Sequence, residues 1–109
     1  MKLIDINTQL IDWDRLPPIE TKGITGINTA REFSSGGYKI RLSVYSAYYE
    51  SDHWCEKGHI IHCIEGEMTL RIKNKPDILL TAGQALLLGE GDHHMAVTGN
   101  DAAKIFIVD

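Results

Sequence analysis

The stretch Asp52-His53-Trp54-Cys55-Glu56-Lys57-Gly58-His59-Ile60-Ile61-His62-Cys63-Ile64-Glu65-Gly66 decides how the chain is read. It packs histidine and cysteine densely and closes on a glycine. A helix would pair Cys55 with His59, or His59 with His62, at spacings of four and three residues. Gly58 within the stretch, the β-branched Ile60 and Ile61 just after it, and the closing Gly66 argue against a helix. In a strand reading, His53 and Cys55 share one face, the chain turns at Glu56-Lys57-Gly58, and a second strand begins at His59. Three candidate metal donors then meet across one hairpin. Trp54 and His62 fall on the opposite face, toward a second layer or a partner subunit. Cys63 shares the face of His59 but lies deeper, where a small buried hydrophobe is the expected role. The Cys-x2-Cys and His-x3-5-His pairs of a classical zinc finger are missing.

Outward from this stretch the pattern has period two. Lys39-Ile40-Arg41-Leu42-Ser43-Val44 and Met68-Thr69-Leu70-Arg71-Ile72-Lys73 alternate polar with apolar, and the mostly apolar Lys104-Ile105-Phe106-Ile107-Val108 is read with the same period. Short loop signals separate such runs: Leu16-Pro17-Pro18, Ser34-Ser35-Gly36-Gly37, Asn74-Lys75-Pro76 and Gly89-Glu90-Gly91. No stripe of helical period stands out. Short strands with no helix to carry crossovers imply an all-β fold, an antiparallel sandwich or barrel. The sequence holds no internal repeat or linker, and its 109 residues read as a single domain. Residues 1–22 are less regular and form an N-terminal arm. Its Trp13 is expected to plug one barrel end, with an interface role as the alternative.

A second group of donors follows in Gly83-Gln84-Ala85-Leu86-Leu87-Leu88-Gly89-Glu90-Gly91-Asp92-His93-His94-Met95-Ala96-Val97-Thr98. An apolar strand and a Gly-rich turn lead to a strand opening on two histidines, of which alternation lets only one face inward.

With these residues in place, the chain resembles the cupin superfamily over residues 38–108. His53-x-Cys55-x3-His59-x6-Gly66 has the spacing of the first cupin motif, and Gly83-x5-Gly89-x-Gly91-x2-His94-x3-Thr98 that of the second. The strip Asp52-His53-Trp54-Cys55 is also similar to that of a group of small uncharacterised bacterial cupins named for an Asp-His-Cys-Trp order. The resemblance implies a double-stranded β-helix, a small antiparallel β-barrel or jelly roll. It also implies a divalent transition-metal site made by His53, His59 and His94, with Cys55 as fourth ligand. His53 and His94 match motif histidines, His59 stands where the family has glutamate, and Cys55 replaces the second histidine of the first motif. Gly89 and Thr98 replace the proline and asparagine of the second.

Imidazole suits zinc, copper, iron and nickel, and thiolate favours the softer ions, so zinc or iron is expected, with nickel or manganese as further candidates. The replacement of the carboxylate by His59 resembles the three-histidine iron sites of some cupin dioxygenases. Three function classes follow: a metal-dependent enzyme of oxygenase or isomerase type on a small polar molecule, a non-catalytic metal or small-ligand sensor, and a dimerisation domain with a vestigial pocket. On strand alternation Arg41 and Tyr45 share a face. If that face is interior, Arg41 could hold a substrate carboxylate, and if not, it is an ordinary surface arginine. Glu50, Asp52 and Asp92 are candidates to orient a ligand histidine, Asp52 being the best placed.

The formal net charge of −4, with scattered lysines and arginines, argues against nucleic acid and against acidic membranes. Two cysteines are too few for a disulfide framework. A charge arrives at Lys2 and Asp5, before any apolar run of a secretory signal, and the expected location is the cytoplasm. The expected partners are a small-molecule ligand and a second copy of the chain, since a short barrel leaves sheet edges and an apolar outer face to cover.

Overall fold

A computed structural model describes residues 2–109. Nine strands build it: β1 (Ile19–Lys22), β2 (Ile27–Ser35), β3 (Tyr38–Tyr45), β4 (His59–Glu65), β5 (Glu67–Ile72), β6 (Ile78–Thr81), β7 (Ala85–Leu88), β8 (His94–Val97) and β9 (Ala103–Val108). The one helical element among the described residues is a 3₁₀ turn at Trp13–Arg15. The strands form two antiparallel sheets, a six-stranded one in the order β1-β2-β3-β9-β4-β7 and a three-stranded one in the order β6-β5-β8. This is the all-β antiparallel architecture that the period-two pattern implies, closed as the double-stranded barrel that the cupin resemblance implies.

Alternation sets the core. In β4 the residues His59, Ile61 and Cys63 are buried while Ile60 and His62 are exposed, and in β9 the residues Ala103, Ile105 and Ile107 face in. Met68, Leu70 and Ile72 of β5 with Leu80 and Leu88 close the interior from the other strands. Burying such a side chain is worth about 1.5–3 kcal/mol, so this apolar half is what holds the sheets together. Cys63 has no solvent exposure and acts as the small hydrophobe expected of it. Burial also raises its thiol pKa, which keeps it protonated and inert.

Two expectations are corrected. Residues 53–55 do not form a hairpin with β4, because both edges of β4 are already taken, by β9 and β7. The chain from Glu50 to Cys55 instead lies along β8 in the opposite sheet: Glu50 bridges Val97 and Cys55 bridges His94. Glu56-Lys57-Gly58 therefore crosses from one sheet to the other. The crossing is tied to the turn before β8, with the Gly58 N–H donating to Glu90 Oε2 at 2.6 Å and the Gly91 N–H to the Glu56 carbonyl at 2.9 Å. A side chain at position 58 would begin 3.0 Å from the Leu88 carbonyl oxygen, a tight contact that glycine avoids.

Trp13 does not plug the barrel. Its ring meets Phe106 edge-on at 6.3 Å, and Phe106 points away from the interior between the inward Ile105 and Ile107. Arg31 fixes the arm on that outer face by donating to the carbonyls of Trp13 and Leu16. The last residues of the arm, Ile19–Lys22, pair with β2 as strand β1.

Candidate metal centre

Three donors meet between the sheets at one end of the barrel. Cys55 and His94 exchange two backbone hydrogen bonds, of 2.8 and 2.9 Å, and so form an antiparallel pair whose side chains stand on one face. His59, the first residue of β4, faces them from the other sheet, its ring edge-on to that of His94 with centroids 5.0 Å apart. One donor atom from each of Cys55, His59 and His94 lies within 4.8 Å of the other two. Cys55 Sγ and His59 Nε2 are 3.5 Å apart, which matches the edge of a tetrahedron with ordinary zinc bond lengths, roughly 3.3–3.8 Å.

The far side of each imidazole fixes which nitrogen is free. His94 Nδ1 donates to the Asp92 carbonyl at 2.9 Å. His59 Nδ1 stands 3.5 Å from Asp109 Oδ2, at ion-pair distance, and has no hydrogen-bond partner among the described residues. A proton on Nδ1 faces that carboxylate favourably, whereas a lone pair there would oppose it. Both rings thus carry their proton on Nδ1 and present an Nε2 lone pair, the arrangement that orients histidine ligands in metal sites. Burial pushes the His59 pKa down to about 4, against a smaller upward pull from Asp109, and its ring is neutral at pH 7. A thiol and two neutral, oriented imidazoles are a donor set that fits a transition ion.

Not every predicted ligand joins them. His53 sits at the cavity rim with its side chain 76% exposed, and its Nδ1 donates to Asp52 at 2.6 Å. The chain bends at Asp52 and His53 instead of running as a strand, so the alternation that would put His53 beside Cys55 does not operate. That hydrogen bond holds the Asp52 carboxyl below its usual range. Of the two adjacent histidines, His94 is buried, whereas His93 is only half-buried and lies 3.6 Å from Glu56. Trp54 and His62 are exposed, His62 as the alternation of β4 requires.

The groups that position the rings differ from those expected. Glu50 pairs with Arg71 at 3.1 Å, and the Asp92 side chain pairs with Lys75 at 3.1 Å, so Asp92 orients His94 through its backbone carbonyl alone. Asp109, behind His59, was not foreseen. The alternation of Ile105 and Ile107 carries straight on to it and is the signal that places it inside.

The donors open onto a cavity of about 440 Å³. Its floor is apolar, with Met68, Leu70, Ile105 and Ile107, and its β2–β3 wall is polar, with Asn28, Arg41 and Tyr45. The face shared by Arg41 and Tyr45 is therefore interior. Burial raises the Tyr45 pKa to about 12, against the lowering effect of Arg41, so its hydroxyl stays a neutral donor.

Two outcomes are expected. His94→Ala should lower metal uptake far more than His93→Ala in a zinc titration, and equal losses would show that the register of β8 is wrong. In metal-free protein, His59 binds a proton less readily when folded than at its free value of 6.5. The unfolded chain then holds more protons between pH 6.5 and about 4, so its contribution to stability is complete above that window and is lost as pH falls through it. Urea midpoints across the window should show a slope of up to about 1 kcal/mol per pH unit that His59→Gln removes. A variant with the wild-type slope would exclude His59 as its source.

No family model and no curated protein matches this sequence. Solved structures do match. A predicted oxalate decarboxylase from Thermotoga maritima superposes with a TM-score of 0.78 at 13% identity, over 92% of this chain and 96% of that one. A sugar phosphate isomerase of the cupin superfamily from Silicibacter pomeroyi gives 0.71 at 15% identity, over 92% and 74%. A chain from the crystal structures of two DMSP lyases gives 0.64 at 16% identity over 74% of this chain, which spans only 46% of that longer one. Two antiparallel sheets closed into a barrel, superposing on these structures, give this chain the cupin fold.

Proposed function

We propose that the chain is a metal-dependent enzyme acting on a small polar molecule, with the ion held by Cys55, His59 and His94. The convergence of a thiol and two imidazoles on a cavity, with His94 held through Nδ1 by the Asp92 carbonyl and His59 Nδ1 facing the Asp109 carboxylate, carries this reading. Three protein ligands leave a coordination position for substrate or for a small co-reactant, and an ion there supplies Lewis acidity. Thiolate with imidazole favours zinc or iron, with nickel or manganese as weaker candidates. An oxygenase or isomerase chemistry fits such a centre. That the similar folds include a predicted decarboxylase, an isomerase and lyases supports catalysis as a class without selecting a reaction. Membership of the Asp-His-Cys-Trp cupin group rests on the strip Asp52–Cys55 alone. No helix of the described residues is long and apolar enough to cross a membrane. With a reduced thiol as ligand, a cytoplasmic setting is the one we propose.

The second reading is a sensor in which His53 closes a four-ligand sphere. The rim position of His53, beside the same cavity, is the observation that favours it. Purified protein should carry about one equivalent of zinc or iron per chain by elemental analysis. Cobalt-substituted protein should show a thiolate charge-transfer band that Cys55→Ser removes, while His53→Ala leaves metal content unchanged. A chain that refuses every one of these metals would sink both readings, and loss of metal in His53→Ala would favour the sensor.

We also propose a homodimer. Ile60 and Leu87 are paired neighbours on the outer face of β4 and β7, 41% and 76% exposed, and Trp54 is 41% exposed. Light scattering at micromolar concentration should give twice the chain mass, and a monomer would remove this part of the proposal.

A further inference from the structure

Arg41 is a charge in an interior position with little to hold. Its side chain is 19% exposed, it lines the cavity shared with Cys55, His59 and His94, and its guanidinium makes no hydrogen bond to any described residue. Asp109 approaches at 3.7 Å, too far for a hydrogen bond, and through the same Oδ2 that faces His59. Glu32 stands opposite Arg41 on β2 but makes no ion pair with it. Further along this wall Asn28 is 8% exposed, and its side-chain oxygen has no partner. Buried polar groups are nearly always satisfied, and a planar five-donor fork is costly to bury unless something accepts from it.

We infer that Arg41 is the recognition residue for a small carboxylate, its guanidinium taking the anionic end of a ligand whose other end reaches the Cys55, His59 and His94 donors. The inference rests on the enzyme reading above and names its substrate class. Asp109, behind the guanidinium, aims it into the cavity while neutralising part of its charge. With a divalent ion in place, three positive charges, from the ion and Arg41, face two negative ones, from the Cys55 thiolate and Asp109. Lys22 and Asp52 at the rim offset each other. The surplus is one positive charge, which matches a monoanion better than a phosphate dianion. The apolar floor of Met68, Leu70, Ile105 and Ile107 suits a hydrocarbon body, and about 440 Å³ falls in the lower part of the range of small-molecule sites.

The test is a calorimetric titration of zinc-loaded and metal-free protein with butanoate, butanamide and inorganic phosphate, alongside the Arg41 Nε–H resonance. Butanoate should bind and shift that resonance, and butanamide should do neither. Arg41→Met should weaken butanoate binding by about tenfold or more in both forms at unchanged zinc content, with Arg41→Lys between the two. Arg41→Met combined with Asp109→Asn should match Arg41→Met, which shows that the loss does not come from a stranded carboxylate. Unaltered butanoate binding in Arg41→Met would overturn the inference, since the metal alone would then hold the anion. Absence of butanoate binding in both forms would overturn it too, as would tighter binding of phosphate. Failure of the metal reading is separate: zinc would not load, and the metal-free titration would still decide the role of Arg41.

Discussion

The site depends on one backbone event, the pairing of Cys55 with His94. Two hydrogen bonds, of 2.8 and 2.9 Å, fasten a segment that is otherwise loop to the first residue of β8. Because the two residues face each other across an antiparallel bridge, their side chains have no choice but to project together. The crossing at Glu56-Lys57-Gly58 is only three residues long, so it delivers His59 to the opposite sheet directly across from that pair. The Gly58 and Gly91 hydrogen bonds then lock the crossing against the β7–β8 turn. A donor from each wall of the barrel is held by sheet geometry, which fixes side chains more firmly than loops do.

Much of this was legible in the sequence, and the misses have a common cause. Period-two alternation identified the all-β fold, the inward turn of His59 and Cys63 and the outward turn of His62, and the spacing of the second cupin motif selected His94 over His93. It worked there because each residue lies in, or opens, a paired strand. It failed for His53 because residues 52–53 bend, and a bend resets which way the next side chain points. The hairpin expected across Glu56–Gly58 failed for a topological reason: adjacency in sequence does not give adjacency in a sheet when both edges of β4 belong to β7 and β9. Trp13 was misplaced because a large aromatic in an irregular arm carries no periodicity to locate it, and Phe106 on the outer face supplied its partner. Asp109 was missed although the alternation of β9 points at it, since an acidic residue at a strand end reads as solvated.

The inner face of the larger sheet is divided by chemistry. β4 and β9 contribute Ile61, Cys63, Ile105 and Ile107, whereas β2 and β3 contribute Asn28, Arg41, Ser43 and Tyr45. Register places these halves side by side, with Arg41 and Ile61 both opposite Ile107, and Ser43 and Cys63 both opposite Ile105. The apolar half packs against Met68, Leu70 and Ile72 and supplies the cohesion of the barrel. The polar half leaves Asn28 Oδ1 and Arg41 Nε without hydrogen-bond partners among the described residues, and His59 Nδ1 and Asp109 Oδ1 beside it are in the same position. A buried polar group left unmet costs about 1–3 kcal/mol, so polar groups on a cavity wall are expected to meet water or a ligand there. A chain selected for stability alone would fill β2 and β3 with aliphatic residues, which the alternation there would accept without altering a single backbone hydrogen bond. That these strands instead carry an arginine, an amide, a hydroxyl and a phenol facing a thiol and two imidazoles is what separates a working cavity from a packed core. Cohesion comes chiefly from the apolar side chains of β4, β5 and β9, and the polar wall of the cavity from β2 and β3, with His59 of β4 at its edge.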